Sequence, residues 1–100
     1  MRGNPVGYRN LYKHLRELLN FLEISLDSDF VLEELSNALY ECETVFGKKH
    51  QLTNQLRKQF RELHAKYIER KALPLEGKDE RKLREKIHDW LKRYYKQQPI

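Results

Sequence analysis

Four stretches of the chain place an apolar residue at every third or fourth position, the spacing that gathers such residues on one face of an α-helix. The stretches cover residues 8–26, 31–46, 52–67 and 83–94. Sustained alternation of apolar and polar residues, the signature of a half-buried strand, is nearly absent, and β-branched residues are few. The pattern predicts four amphipathic helices and no sheet.

Residues typical of helix ends lie between these stretches. Asn4 and Pro5 are a cap and first-turn pair before the first helix, and residues 27–29 supply caps for the second. Gly47 is typical of a helix stop. Asp79, two residues after Gly77, is the predicted cap of the fourth helix. Connections of about two to six residues make neighbouring helices antiparallel.

The chain has 100 residues, close to the commonest size of one domain. We therefore predict an all-α fold, a single-domain antiparallel bundle of four helices over residues 8–96. Residues 1–7 and 97–100 are predicted to be terminal tails.

Charge is divided unequally along the chain. Up to Gly47 there are eight acidic and four basic residues, whereas from Lys48 onward there are sixteen basic and seven acidic residues. The net charge of +5 conceals this asymmetry. A basic C-terminal half favours a polyanionic partner, and it carries no information about chemistry.

Residues that could perform catalysis or hold a metal ion are scattered. None of the four histidines (His14, His50, His64 and His88) lies three or four positions from another histidine or from Cys42, so no helix presents a ligand pair. Cys42 is on the apolar face of the second helix, between Leu39 and Val45, where a cysteine acts as a small buried apolar residue. We expect no catalytic residue, metal site or cofactor, and we expect that the protein is not an enzyme.

Two further features predict a cytoplasmic setting. With Cys42 as its one cysteine, the chain forms no internal disulfide, which fits a reducing compartment. No apolar run approaches the ~20 residues of a membrane span, and the first residues lack the apolar segment of a secretion signal.

The basic half contains the candidate nucleic-acid contacts. Arg57 and Arg61 fall on one flank of the third helix's apolar face, with His64 and Lys71. Lys82, Lys86 and Arg93 follow one side of the fourth helix. The segment 90–96 interleaves aromatic rings with cations, and Tyr95 is the ring that lies clearly off the apolar face. The predicted set is Arg57, Arg61, Lys82, Lys86, Arg93, Tyr95 and Lys96. In a nucleic-acid binder the cations neutralise phosphates and flat rings stack on bases.

Other interpretations of this surface remain open. Exposed helix faces normally carry lysine and arginine, and several of these can pair with acids one turn away. Contact with an anionic membrane or an acidic protein would use the same cations. Our first hypothesis is a non-catalytic module that contacts an RNA or DNA backbone, as a small subunit of a larger nucleoprotein assembly. The alternative is a protein-interaction adaptor with a basic surface.

The acidic half has apolar residues beyond those that one core face needs. Phe21, Ile24, Phe30 and Tyr40 lie off the main apolar faces, and Tyr40 is nearly opposite its own. A second apolar face is typical of a helix with a partner. We therefore predict that these residues contact another protein or a second copy of the chain, although packing inside the bundle could equally absorb Phe21 and Ile24.

Overall fold

The computed structural model describes residues 5–70 and 73–95, and its regular structure is four helices. They are α1 (Pro5–Glu23), α2 (Ser28–Phe46), α3 (Gln51–Tyr67) and α4 (Gly77–Tyr94). Within the described residues there is no strand, only an isolated bridge between Asp27 and Pro74. The predicted all-α four-helix bundle is confirmed.

The helices are arranged in a ring in chain order. Backbone contacts join α1 to α2, α2 to α3 and α1 to α4. Side chains connect α3 with α4: the Trp90 indole N–H donates to Gln55 Oε1 at 2.6 Å, and the Tyr67 hydroxyl donates to Asp79 Oδ2 at 2.7 Å. In this order α2 and α4 are diagonally opposite each other.

Contacts at the two ends show that neighbours run antiparallel. Tyr8, in the first turns of α1, donates its hydroxyl to the Tyr94 carbonyl at the end of α4. Its ring also lies 6.0 Å from that of Phe46, the last residue of α2. At the other end the Ser28 hydroxyl donates to the Arg70 carbonyl at 2.9 Å and so joins the start of α2 to the segment that follows α3.

The core forms from the apolar faces that the helical spacing predicts. Residues whose side chains are sealed from solvent come from all four helices, and among the largest are Leu11, Leu15, Leu18, Leu35, Leu52, Leu56, Tyr67, Leu83, Ile87 and Trp90. Burying each large apolar side chain stabilises the fold by about 1.5–3 kcal/mol relative to exposure, before the entropy cost of ordering the chain. Every buried side-chain nitrogen and oxygen in the described part has a hydrogen-bond partner.

Some helix ends and caps are those that the sequence predicts, and others are not. Gly47 ends α2 with a φ of 93°, a conformation that favours glycine. Asp79 is not the cap of α4: the helix begins at Gly77, and Asp79 is within its first turn with its carboxylate turned towards α3. The His50 imidazole caps α3 by accepting from the Leu52 amide at 3.0 Å.

The first helix begins before the first residue of its apolar pattern, Tyr8. Because α1 begins at Pro5, residues 5–7 of the predicted N-terminal tail are helical. The predicted cap Asn4, the basic residues Lys71 and Lys96, and the predicted tail 97–100 lie outside the described residues. None of the described helices is long and apolar enough to cross a membrane.

Candidate nucleic-acid interface

Acidic charge in the helices is concentrated in α2. This helix carries five acidic residues and no lysine or arginine. By contrast, α3 has four basic residues and one acid, and α4 has seven basic residues and four acids. Helix α1 also has a basic excess, with Arg9, Lys13 and Arg16 against Glu17 and Glu23. The acidic half of the sequence therefore becomes one acidic helix in a bundle of otherwise basic helices.

The ring order places α4 between the two other basic helices and diagonally opposite α2. Separation matters because exposed charges are largely screened beyond about 10 Å at 0.1 M salt. A polyanion on the outer surface of α4 would meet the cations of α4 and its neighbours, while the bundle separates it from the acids of α2.

Lys82, Lys86 and Arg93 share one side of α4, and Lys82 and Lys86 face α3. Lys82 and Lys86 line a groove between α3 and α4 with Gln55 of α3 and with Trp90, whose side chain is buried. Lys82 Nζ is 3.7 Å from Glu62 Oε1 across the groove, and no carboxylate of the described residues lies within ion-pair distance of Lys86. Arg93 reaches Asp89, one turn away, at 3.5 Å.

These ion pairs leave the cations available. Lys82 and Arg93 have more than half of their side-chain surface exposed, and pairs of such length at the surface contribute about 0–1 kcal/mol. Replacing such a carboxylate with a phosphate as the partner of Lys82 or Arg93 therefore costs little free energy. The acids Glu85 and Asp89 on the same surface oppose a polyanion and lower the net charge of the groove.

Further cations on the outer face of α4, outside the predicted set, extend this surface. Lys78, Arg81 and Lys92 are exposed, and no carboxylate of the described chain lies within ion-pair distance of them. Positions 78 and 92 are about 21 Å apart along the helix axis, from a rise of about 1.5 Å per residue. On the side of α1, Arg16 lines a groove with Arg84 and His88 of α4. Helix α1 thus contributes cations to this surface although it lies in the acidic half of the sequence.

Arg57 and Arg61 belong to a different surface. The Arg57 guanidinium donates to Glu43 of α2 at 3.3 Å, to Asn54 at 2.8 Å and to the Lys48 carbonyl at 3.3 Å. It therefore joins α3 to α2 and does not face α4. Arg61, one turn further along the same flank, is exposed. The predicted basic set is split between the two sides of α3.

The expectation that Tyr95 offers a free ring for base stacking is wrong. The Tyr95 side chain is only 4% exposed, its ring packs 4.4 Å from that of Tyr8, and its hydroxyl donates to the Tyr8 carbonyl at 2.8 Å. Burial raises the pKa of this phenol. The helical wheel fails here because α4 ends at Tyr94, and Tyr95 has a φ of −131°, so the chain turns its ring onto the first turns of α1.

The predicted partner residues are separated in the structure. Phe21 is half-buried against the core, so the bundle absorbs it. Ile24 lies just beyond α1 and is 66% exposed, and Phe30 at the start of α2 is 48% exposed at that same end of the bundle. Tyr40 is 68% exposed on the outer surface of α2.

Cys42 has a structural role, and the described residues form no metal site. Cys42 is fully buried, as predicted, and its thiol lies 3.2 Å from the Thr53 hydroxyl. Desolvation is the main reason that the pKa of this thiol is raised to about 11, which disfavours a nucleophilic thiolate. Within residues 5–70 and 73–95, no group of three or more His, Cys, Asp or Glu side chains converges in a way that could hold a metal ion.

A network at the junction of α3 and α4 positions the basic surface. Asp79 accepts from the Tyr67 hydroxyl and from Lys66 Nζ, the latter at 2.8 Å. The Tyr67 hydroxyl also accepts from the Glu76 amide at 2.7 Å, which satisfies a backbone donor where α4 begins. Although burial alone would raise the pKa of Asp79, the hydrogen bonds from Lys66 and Tyr67 lower it overall.

Comparison of the chain with models of known protein families, with curated proteins and with solved structures finds no match.

Proposed function

We propose that the protein is a non-catalytic binding module whose helix α4, flanked by α1 and α3, contacts the phosphate backbone of RNA or DNA. The observation that supports the proposal is the run of exposed cations along α4, opposite the acidic helix α2. The exposed Lys78, Arg81 and Lys92 and the half-buried Lys86 have no carboxylate of the described residues within ion-pair distance, and Lys82 and Arg93 have only long surface pairs.

The expected mode of contact is electrostatic and independent of base sequence. Lysine and arginine neutralise phosphates and release condensed counterions, so affinity depends steeply on salt. With Tyr95 and Trp90 buried in the bundle, this surface presents neither ring to stack on a base. Binding through the backbone alone is expected to distinguish weakly between sequences.

The test is a salt series with labelled single- and double-stranded RNA and DNA. The logarithm of affinity should fall linearly with the logarithm of salt concentration, with a slope of about −0.7 to −0.9 per phosphate contact. Replacing Lys82, Lys86 and Arg93 together by Gln should weaken binding and shallow that slope by up to about three contacts. Glutamine is a good helix former, so helicity should barely change.

A matched control separates position from net charge. Lys48→Gln and Lys49→Gln together remove two charges from exposed positions in the loop between α2 and α3, whereas Lys82→Gln and Lys86→Gln together remove two charges from α4. The loop variant should keep most of the salt slope. Equal losses in the two double variants would mean that only net charge matters, and the α4 interface would be abandoned. Absence of binding at low salt would overturn the whole proposal and favour an adaptor for an acidic protein.

A further inference from the structure

A shallow groove on the opposite side of α3 from α4 exposes apolar side chains to solvent. It lies between α2 and α3 and is lined by Leu32, Phe60 and Ile68, together with the polar residues Ser36 and Asn37. Ile68 is 46% exposed, and Phe60 is only half-buried. Tyr40, 68% exposed, lies one turn beyond Ser36 on the outer side of α2. Apolar side chains therefore reach solvent from both sides of the groove, and Leu32, at 8% exposure, lies at its floor.

The two rims of this groove carry opposite charge. On α2 the groove is lined by Asp29 and Glu33, and on α3 by Phe60 and His64. Arg61 follows Phe60 and is exposed on the flank of α3 where Arg57, one turn earlier, pairs with Glu43 of α2. Glu33 and Arg61 are both exposed, and neither has an ion pair to another described residue. A partner suited to this groove must offer a basic edge to α2 and an acidic edge to α3.

A second copy of the chain meets that requirement in one orientation. A two-fold axis that runs along the groove places α2 of each copy against α3 of the other, so acid faces base on both sides. A two-fold axis across the helices would instead place α2 against α2, where acid faces acid. Charge complementarity therefore selects the first arrangement.

The register along the helices also fits. Leu32 and His64 line the same groove, and Cys42 contacts Thr53. Because the helices are antiparallel, a residue of α2 and a residue of α3 lie at the same height when their residue numbers add up to about 95. By this relation Glu33 is at about the same height as position 62 of α3 and is therefore within about one helical turn of Arg61. Under the first symmetry Glu33 thus lies within reach of Arg61 of the partner subunit.

We propose that the groove between α2 and α3 is a homodimer interface with its two-fold axis along the groove. Leu32, Phe60 and Ile68 form its apolar centre, and Tyr40 extends it. Glu33 of each copy pairs with Arg61 of the partner subunit, so the interface contains two such pairs. The dimer leaves α4 of both copies facing outward. The inference stands independently of the proposed contact with nucleic acid.

The test measures mass by sedimentation equilibrium over a range of protein concentrations. The wild-type mass should rise from 12.2 kDa towards twice that value. Glu33→Lys places lysine against arginine in both contacts, and Arg61→Glu places acid against acid. Each variant alone should raise the dissociation constant at least about tenfold. An equimolar mixture should recover dimers, because the heterodimer has one opposite-charge pair in each contact.

Matched controls change the same charges on α4. Glu85→Lys and Arg81→Glu are exposed substitutions outside the groove, and they should leave the dissociation constant within about twofold of the wild type. Circular dichroism of every variant verifies that the helices remain folded. A wild-type protein that stays monomeric up to millimolar concentration, or two reversals that fail to complement each other in the mixture, would overturn the proposal.

Discussion

At the scale of single residues, burial decides what Cys42 can do. The thiol lies in the core against Thr53, and its desolvation raises the pKa from 9.0 to about 11. A thiol in this setting is protonated at neutral pH and is shielded from reagents. Cys42 is therefore a packing residue, although cysteine is the most reactive side chain in the sequence.

We expect the thiol of the folded protein to resist alkylation until the protein unfolds. Cys42→Ala should lower the free energy of unfolding by about 1–2 kcal/mol, because it removes a small buried group, and should leave polynucleotide binding intact. Because the pKa of the thiol is raised on folding, its contribution to stability is complete below pH 9 and is lost as pH rises towards about 11. Rapid labelling of the native protein would contradict this assignment.

At the scale of elements, the junction of α3 and α4 depends on polar contacts more than the other helix pairs do. Backbone contacts join the other neighbouring helices, whereas α3 and α4 meet through long side chains. Tyr67 is central here, since its hydroxyl joins the Asp79 carboxylate and the Glu76 amide. The angle at which α4 presents its cations therefore depends on this network.

Asp79→Asn should lower the free energy of unfolding by about 1–2 kcal/mol at pH 7, because it removes the negative charge that strengthens the contacts with Lys66 and Tyr67 and replaces one acceptor oxygen with an amide NH2 group. Folding lowers the pKa of Asp79, so the stability that its charge contributes is present above the unfolded pKa near 4 and is lost as pH falls further. Urea unfolding at several pH values should show wild type and variant converging below about pH 4.

The matched control for this prediction is Asp89→Asn. The Asp89 side chain is 53% exposed and has only the 3.5 Å pair with Arg93. Its substitution should change stability by less than about 0.5 kcal/mol. If the two variants lost equal stability, the network at Asp79 would have no special part in holding α4.

At the scale of the whole molecule, charge is arranged around the bundle. The acids of α2 lie on the opposite side from the cations of α4, and the proposed dimer would cover α2 with α3 of the second copy. Such a dimer would hide much of the acidic surface and leave two basic surfaces. Two linked surfaces on one polyanion raise the effective affinity without any new contact.

This arrangement predicts that the effect of an acid on binding depends on its position. Glu85→Gln, on α4, should strengthen polynucleotide binding several-fold at about 50 mM salt. Glu41→Gln, on α2, removes the same charge but should change affinity less than about twofold, because salt screens charge across the bundle. Fluorescence anisotropy titrations of both variants measure the difference. Equal gains would show that the position of a charge in the bundle has no influence.

Local periodicity by itself determined the four helices and most of the core. Leu83, Ile87 and Trp90 recur at helical spacing, and this spacing is a property of each segment alone, so their burial followed from it. Gly47 ended its helix as predicted because a left-handed backbone conformation at a helix end is also a local event.

Only the tertiary structure decided how the helices are ordered and where residues near their ends point. That order placed Arg57 against Glu43 of α2 and separated it from the cations of α4. It buried Tyr95 beneath the first turns of α1, 87 residues away in sequence. It also assigned α1 to the basic side of the molecule. The physical reason is that such placements depend on the packing of segments distant in sequence, whereas helical spacing specifies only which face of each segment is apolar.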